Sequence, residues 1–327
     1  VAELPKVLVT RHLVPEAMAA LEGKIDMDLY SGPPTNIPRD ELLQRAKGKD
    51  GLLTLLTEKV DAELLDAVGP QLKIVANYAV GFDNIDIPEC TKRGILVTNT
   101  PDVLTESTAD TAWALVLSAT RRVAEGDRFL RARTEWIWDP QMMLGQELYG
   151  NTFGVVGLGR IGVAAARRAR GFGMRVIYTN AVPVDPAIVA ELQAEEVTFD
   201  ELLAQADVVS VHCPLTPETR HLFNADTFTK MKKSSVLVNT ARGPIVDEKA
   251  LADALAAGEI FGAGLDVFER EPQVEEALLG LENATVIPHL GSATVQTRAA
   301  MGFLAVENLL AGLAGERPRT LLNPEVL

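Results

Sequence analysis

Phe153-Gly154-Val155-Val156-Gly157-Leu158-Gly159-Arg160-Ile161-Gly162 is the stretch on which the fold of this chain turns. A short β-branched run leads into G-x-G-x-x-G, and the apolar pattern from Val163 to Ala169 continues as a helix, so the glycines occupy a strand-to-helix turn. Gly157 permits the tight turn, Gly159 lets the backbone approach a pyrophosphate, and Gly162 lets helix and strand pack closely. Leu158, Arg160 and Ile161 complete the loop, and the helix start adds N–H groups and partial positive charge. A dinucleotide is the expected ligand. Three glycines without the strand and helix around them would be an ordinary loop.

The strand after the fingerprint helix ends Tyr178-Thr179-Asn180-Ala181. An acidic residue about twenty positions past the glycines would hydrogen-bond the ribose hydroxyls of NAD. Asn180 stands there, so nothing repels a 2′-phosphate, and no Arg or Lys follows closely to attract one. Arg160 adds positive potential nearby. Both cofactors are expected to work, with NADP(H) modestly preferred over NAD(H).

Working outward, a second strand series follows Gly150: Phe153 to Val156, Arg175 to Thr179, Val208 to His212, Ser235 to Asn239, Gly262 to Phe268 and Thr285 to Ile287. An earlier series alternates Val7 to Thr10, Ile25 to Tyr30, Gly51 to Thr54 and Lys73 to Tyr78 with helical patterns from Pro15, Pro38 and Asp61. Such alternation gives βα units and parallel sheets. A long apolar-periodic stretch from Pro101 to Glu125 reads as one connecting helix, and a last helix from Ala293 to Leu313 can return to the first series. Two α/β domains are therefore expected, 1–100 plus 291–327 and 101–290.

The 327 residues suit two domains, and an apolar share of 47% with 23% charged residues is ample for packed cores. Lys and Arg total 31 against 45 Asp and Glu, a net charge of -14, which offers no electrostatic drive toward nucleic acid or anionic membranes. The two cysteines, Cys90 and Cys213, form no redox or metal-ligand spacing, so no metal is expected and a reducing, cytoplasmic compartment fits. No targeting segment is written at the N-terminus, and the apolar run from Ala112 to Ala119 is too short for a bilayer.

In a doubly wound sheet the ligand lies outside the carboxyl ends of the strands. Arg242, Glu271 and His289 follow three successive strands of the second series. Arg242 offers a planar fork for a carboxylate and a carbonyl oxygen, which it would polarise. His289 can supply a proton near neutral pH, and Glu271 on its other ring nitrogen would fix the tautomer. These types suit hydride transfer from the cofactor to a 2-oxo acid. Each also has a plain reading: a cap, a turn before Pro272, or an Arg242–Asp247 pair. His12 and His221 read as structural, and His212, beside Cys213-Pro214, suits the adenine side of the cofactor cleft as well as it suits catalysis. No G-x-S-x-G or nucleophilic Cys context points to a hydrolase. Trp136 and Trp138, in a loop-like stretch, fit a partner subunit or the substrate cleft, with plain packing as the alternative.

Gly157 to Gly162, Asn239-Thr240-Ala241-Arg242-Gly243, Gly264 to Pro272 and Pro288-His289-Leu290-Gly291-Ser292-Ala293-Thr294 together resemble the signatures of the D-isomer-specific 2-hydroxyacid dehydrogenases. Ala79 to Ile85, and Leu144 to Gly150, look most like the glyoxylate/hydroxypyruvate reductases within that family. The resemblance implies a Rossmann cofactor domain, a discontinuous flavodoxin-like substrate domain, a cleft between them and a homodimer. It implies Arg242, Glu271 and His289 as the catalytic set, Val80 and Gly81 N–H groups at the substrate carboxylate, and Asp266 at the nicotinamide amide. Thr240, Ala241 and Gly291, from the same signatures, join Cys213 and Pro214 as expected cofactor neighbours, and Trp138 joins Val80, Gly81, Arg242 and His289 around the substrate. D-3-phosphoglycerate dehydrogenases are a rival at the level of substrate. Formate dehydrogenases resemble the family but carry Gln where Glu271 stands. A dinucleotide-sensing corepressor of this fold would need terminal segments for partners, and none follows Leu327 here.

Overall fold

The structure is a computed structural model that describes residues 3–33 and 36–327. It divides into two compact units, Val1–Leu104 with Ala293–Leu327, and Thr105–Ser292.

The first unit carries five parallel strands: β1 (Lys6–Val9), β2 (Asp26–Leu29), β3 (Gly51–Thr54), β4 (Ile74–Asn77) and β5 (Leu96–Thr98), ordered β2-β1-β3-β4-β5. This is the flavodoxin-like order. Both faces are covered, so β3 and β4 are buried along their whole length, as parallel strands require. The helix Val295–Leu313 lies over this sheet, close enough that a side chain at Gly312 would meet Ile74. The chain then covers the edge of β5: Leu322 N–H donates to Val97 at 2.8 Å, Asn323 Oδ1 accepts from Val97 N–H at 2.9 Å, and Asn323 Nδ2 donates to Ile95 at 2.8 Å. An open edge of paired apolar residues is thereby closed.

The second unit carries seven parallel strands: β6 (Thr152–Val156), β7 (Arg175–Thr179), β8 (Glu195–Glu196), β9 (Val208–Val211), β10 (Val236–Asn239), β11 (Gly262–Leu265) and β12 (Ala284–Val286). Their order, β12-β11-β10-β9-β6-β7-β8, reverses direction at β6, which pairs with both β7 and β9. That is the Rossmann order with one strand more, and its ligand crevice belongs at this reversal. Apolar layers fill both faces, one around Phe223, Phe228 and Leu251, the other around Trp113, Phe153 and Ala165. Trp113 stacks on Phe153 and Phe172 with ring centroids 5.4 and 4.4 Å away, and its indole N–H donates to the Ala165 carbonyl at 2.9 Å.

The single helix expected from Pro101 to Glu125 is two helices, Thr105–Arg121 and Val123–Arg131. Arg122 between them adopts φ 56°, a left-handed conformation that interrupts the helical hydrogen-bond ladder. Its guanidinium grips Glu125 with two bonds of 2.6 Å, and Ser118 Oγ accepts from Ala124 N–H at 3.3 Å. Ahead of the first helix, Asp102 at φ 70° keeps Pro101 outside it. Among the described residues, no helix is long and apolar enough to cross a membrane.

Candidate active site

β6 delivers its chain into the glycine turn. Gly157 has φ +96°, and a Cβ there would stand 2.5 Å from the Cys213 amide nitrogen, so a side chain is excluded by conformation and by space. A Cβ at Gly159 would meet nothing within 4 Å, so its backbone lies open at the head of the helix Arg160–Gly171. Leu158 is buried and Arg160 exposed. Asn180 is engaged at both ends: Oδ1 accepts from Leu158 N–H at 2.9 Å and Nδ2 donates to the Val182 carbonyl at 2.7 Å. It ties the glycine turn to the end of β7. This bracing role does not follow from sequence, where Asn180 reads only as the residue facing the ribose.

His212 and Cys213 follow directly on β9. Desolvation pushes His212 down to about 4, and Ser210 Oγ lies 2.8 Å from its Nε2. Burial pushes the Cys213 thiol up to about 11, so it is inert at neutral pH. Past β10, buried Asn239 shapes the turn by accepting from Ala241 N–H at 3.0 Å and donating to the Arg242 carbonyl at 2.9 Å. The Thr240 hydroxyl is buried with no hydrogen-bond partner among the described residues. A bound polar group at this edge would satisfy it. With the open backbone at Gly159, it makes this sheet edge fit a dinucleotide.

The acid–base groups meet at the same edge. His289 Nδ1 stands 2.8 Å from Glu271 Oε2, while Glu271 Oε1 accepts from Phe268 N–H at 2.9 Å. Burial by itself would raise the Glu271 carboxyl. The hydrogen bond and charge of His289, the Phe268 N–H and the charge of Arg242 outweigh it, and hold Glu271 below the usual carboxylate range. Glu271 is therefore an anion at neutral pH that accepts the Nδ1 proton, leaving Nε2 for a reactant. Arg242 donates from Nη1 to its own neighbour's carbonyl, Ala241, at 2.8 Å. Asp247, the partner considered for Arg242 in the sequence, caps the helix Glu248–Ala257 through Ala250 N–H at 3.0 Å. A side chain at Gly243 would land on the backbone of Phe268 and Glu269, so the Arg242 and Glu271 segments abut.

His289 itself has φ 53°. A non-glycine residue keeps that conformation when its surroundings impose it. Asp266, 1% exposed, does so: its carboxylate accepts from Leu290 N–H and, at 2.8 Å, from Gly291 N–H, and its carbonyl accepts from His289 N–H at 2.9 Å. Burial pushes the Asp266 carboxyl up. β11 ends at Leu265 instead of Phe268, which frees Asp266 for this task. His221, which reads as structural in sequence, pairs its Nε2 with Glu269 two residues from Glu271.

The first unit offers its own polar feature. The Val80 carbonyl accepts from Asn99 Nδ2 at 2.8 Å and the Gly81 carbonyl from Asn77 Nδ2 at 3.0 Å, while the N–H groups of Val80 and Gly81 have no acceptor among the described residues. Two successive N–H groups without an acceptor among the described residues suit an anion. Trp136 and Trp138 are 54% and 79% exposed, in a segment outside any helix or strand.

The family model for the D-isomer specific 2-hydroxyacid dehydrogenase, NAD binding domain, matches residues 113–291. The chain belongs to this family. It is 49% identical over 328 residues to a glyoxylate reductase of Thermococcus onnurineus, covering 99% of this chain and 97% of that one. Among solved structures, a Thermus thermophilus protein is 44% identical with a TM-score of 0.89, covering 97% of this chain and 99% of that one. A Sinorhizobium meliloti NADPH-dependent glyoxylate/hydroxypyruvate reductase in complex with NADP and malonate is 37% identical with a TM-score of 0.84, covering 98% and 97%. The chain is thus an oxidoreductase with a dinucleotide-binding domain in its second unit.

Proposed function

We propose that this dehydrogenase reduces glyoxylate, and hydroxypyruvate with it, to the D-2-hydroxy acid. The observation that carries the reading is the 2.8 Å contact between His289 Nδ1 and an ionised Glu271, beside Arg242, in a chain similar along its length to glyoxylate reductases. The second unit is the cofactor domain and the first the substrate domain. The glycine turn from Gly157 to Gly162, Thr240 and its neighbour Ala241, Asp266 and Gly291 would hold the dinucleotide, with Cys213 and Pro214 toward its adenine side. When bound, the nicotinamide supplies a hydride to the carbonyl carbon. In the first unit the Val80 and Gly81 N–H groups suit a carboxylate; in the second, Arg242 draws electron density toward the carbonyl oxygen, and His289 Nε2 delivers the proton which that oxygen needs.

A homodimer is part of the same reading. Trp136, Ile137 and Trp138 are three consecutive large apolar residues that are all exposed, and we assign that surface to a second copy, with Trp138 beside the substrate as its other role. Sedimentation equilibrium should return twice the chain mass, and a monomer at micromolar concentration would count against it. Two free buried cysteines suit a cytoplasmic enzyme.

His289→Gln should lower kcat for glyoxylate reduction by roughly 10² to 10⁴, the usual worth of a positioned general acid, with the Kd for the dinucleotide little changed. Near-normal turnover in the folded variant would remove His289 from the reaction.

The enzyme should use NADPH modestly better than NADH, because a neutral amide at position 180 does not repel a 2′-phosphate. Asn180→Asp keeps an acceptor for Leu158 N–H and adds that repulsion, so the ratio of kcat/KM for NADPH over NADH should fall by about tenfold or more. A wild-type enzyme already strongly selective for NADH, or an unchanged ratio in the variant, would mean that another residue reads the ribose.

A further inference from the structure

Glu248 is a buried carboxylate, 4% exposed, that no step of the reaction uses. It is the first residue of the helix Glu248–Ala257, whose start favours a negative charge. Among the described residues its two oxygens meet no cation. One accepts from the backbone N–H of Glu269, and the other from the N–H of Glu275 at 3.0 Å.

Those two N–H groups bracket the segment that carries Glu271. Between them the chain makes a tight turn in which Gln273 N–H donates to the Arg270 carbonyl at 2.9 Å, with Glu271 inside the turn and pointing to His289. The two ends of the turn share one carboxylate. Arg242 and Gly243 stand a few residues ahead of Glu248 on the same strand-to-helix connection, and Gly243 abuts Phe268 and Glu269. One short connection therefore carries Arg242, leaves room for the Glu271 segment, and grips that segment at both ends.

The charge environment shows that this grip is built against resistance. Burial, and the like charge of Glu269, push the Glu248 carboxyl up, while the two N–H groups and the charge of Arg270 oppose them. A solvated side chain at a helix start would meet none of that resistance, and an apolar residue could fill the volume without it. What an apolar residue cannot do is accept two backbone hydrogen bonds 27 and 21 positions along the chain.

We propose that Glu248 is a positioning residue of this enzyme: its carboxylate clamps Glu269 and Glu275 and thereby fixes Glu271 against His289 Nδ1. This rests on the reading of Glu271 as the partner of the general acid. Arginine, lysine or histidine does not substitute for the clamp, because it needs two acceptors, and Asp is one methylene too short to reach both N–H groups.

The test is a double-mutant cycle on the full-length enzyme with glyoxylate and NADPH. Glu248→Gln keeps the shape but turns one acceptor into a donor facing an N–H group. It should lower kcat by about tenfold or more while KM for NADPH stays within about twofold, a split that general destabilisation would not give. Glu271→Gln should also lower kcat, and the double variant should fall no further than Glu271→Gln alone, because the clamp acts only through that carboxylate. Full additivity, or a Glu248→Gln enzyme with normal kcat beside a slow Glu271→Gln enzyme, overturns the clamp and leaves the His289–Glu271 reading standing. A Glu271→Gln enzyme as fast as wild type removes that reading and the clamp together. Should Glu248→Gln not fold, hydrogen exchange of the wild-type enzyme decides: the amides of Glu269 and Glu275 should both be protected, and rapid exchange at either overturns the proposal.

Discussion

Every strand of the seven-stranded sheet runs parallel, and a parallel sheet brings the carboxyl ends of all its strands to one edge. β6, β9, β10, β11 and β12 accordingly release the glycine turn, His212, Thr240 with Arg242, Asp266, and His289 on the same side. Residues far apart in the chain meet there without a long structured loop. The hydrogen bond between His289 and Glu271 is one result. The crowding of Gly243 against Phe268 is another, since both flank neighbouring strands.

Two carboxylates at this edge, one buried and one half-buried, behave in opposite ways, and the difference lies in their partners. Glu271 faces the imidazole of His289 and feels the charge of Arg242, which together overcome its desolvation and hold it ionised. Asp266 is more deeply buried, it meets two backbone N–H groups, and its desolvation prevails. One carboxylate orients the imidazole of His289 by a side-chain bond. The other holds the backbone around His289 in a left-handed conformation.

Much of this was legible in the sequence. The strand-framed fingerprint fixes the second sheet and its switch point, and polar residues just past β-branched runs name Arg242, Glu271 and His289. What was hidden is instructive. The apolar period runs unbroken through Arg122 into Val123, so a single left-handed residue could split the connector helix without a mark in the pattern. β8 is two exposed glutamates paired on the edge of β7, and β5 has only three residues, too few for a period to show. Asn180 reads as a ribose reader, and Glu248 carries no reading at all, because side-chain bonds to distant backbone leave no trace in local spacing. A glutamate at the first turn of an apolar helix is the commonest feature of an ordinary helix start.

In the proposed reaction, proton delivery depends above all on Glu271 fixing the ring of His289 with its proton at Nδ1, which leaves Nε2 to serve the reaction. Histidine side-chain ¹⁵N NMR on the enzyme, with His289 assigned through its substitution, reads this directly. A proton should reside on Nδ1, hydrogen-bonded to the carboxylate, at every pH where the fold holds and Glu271 is ionised. A neutral ring that carries its proton on Nε2 with a bare Nδ1 would contradict this arrangement.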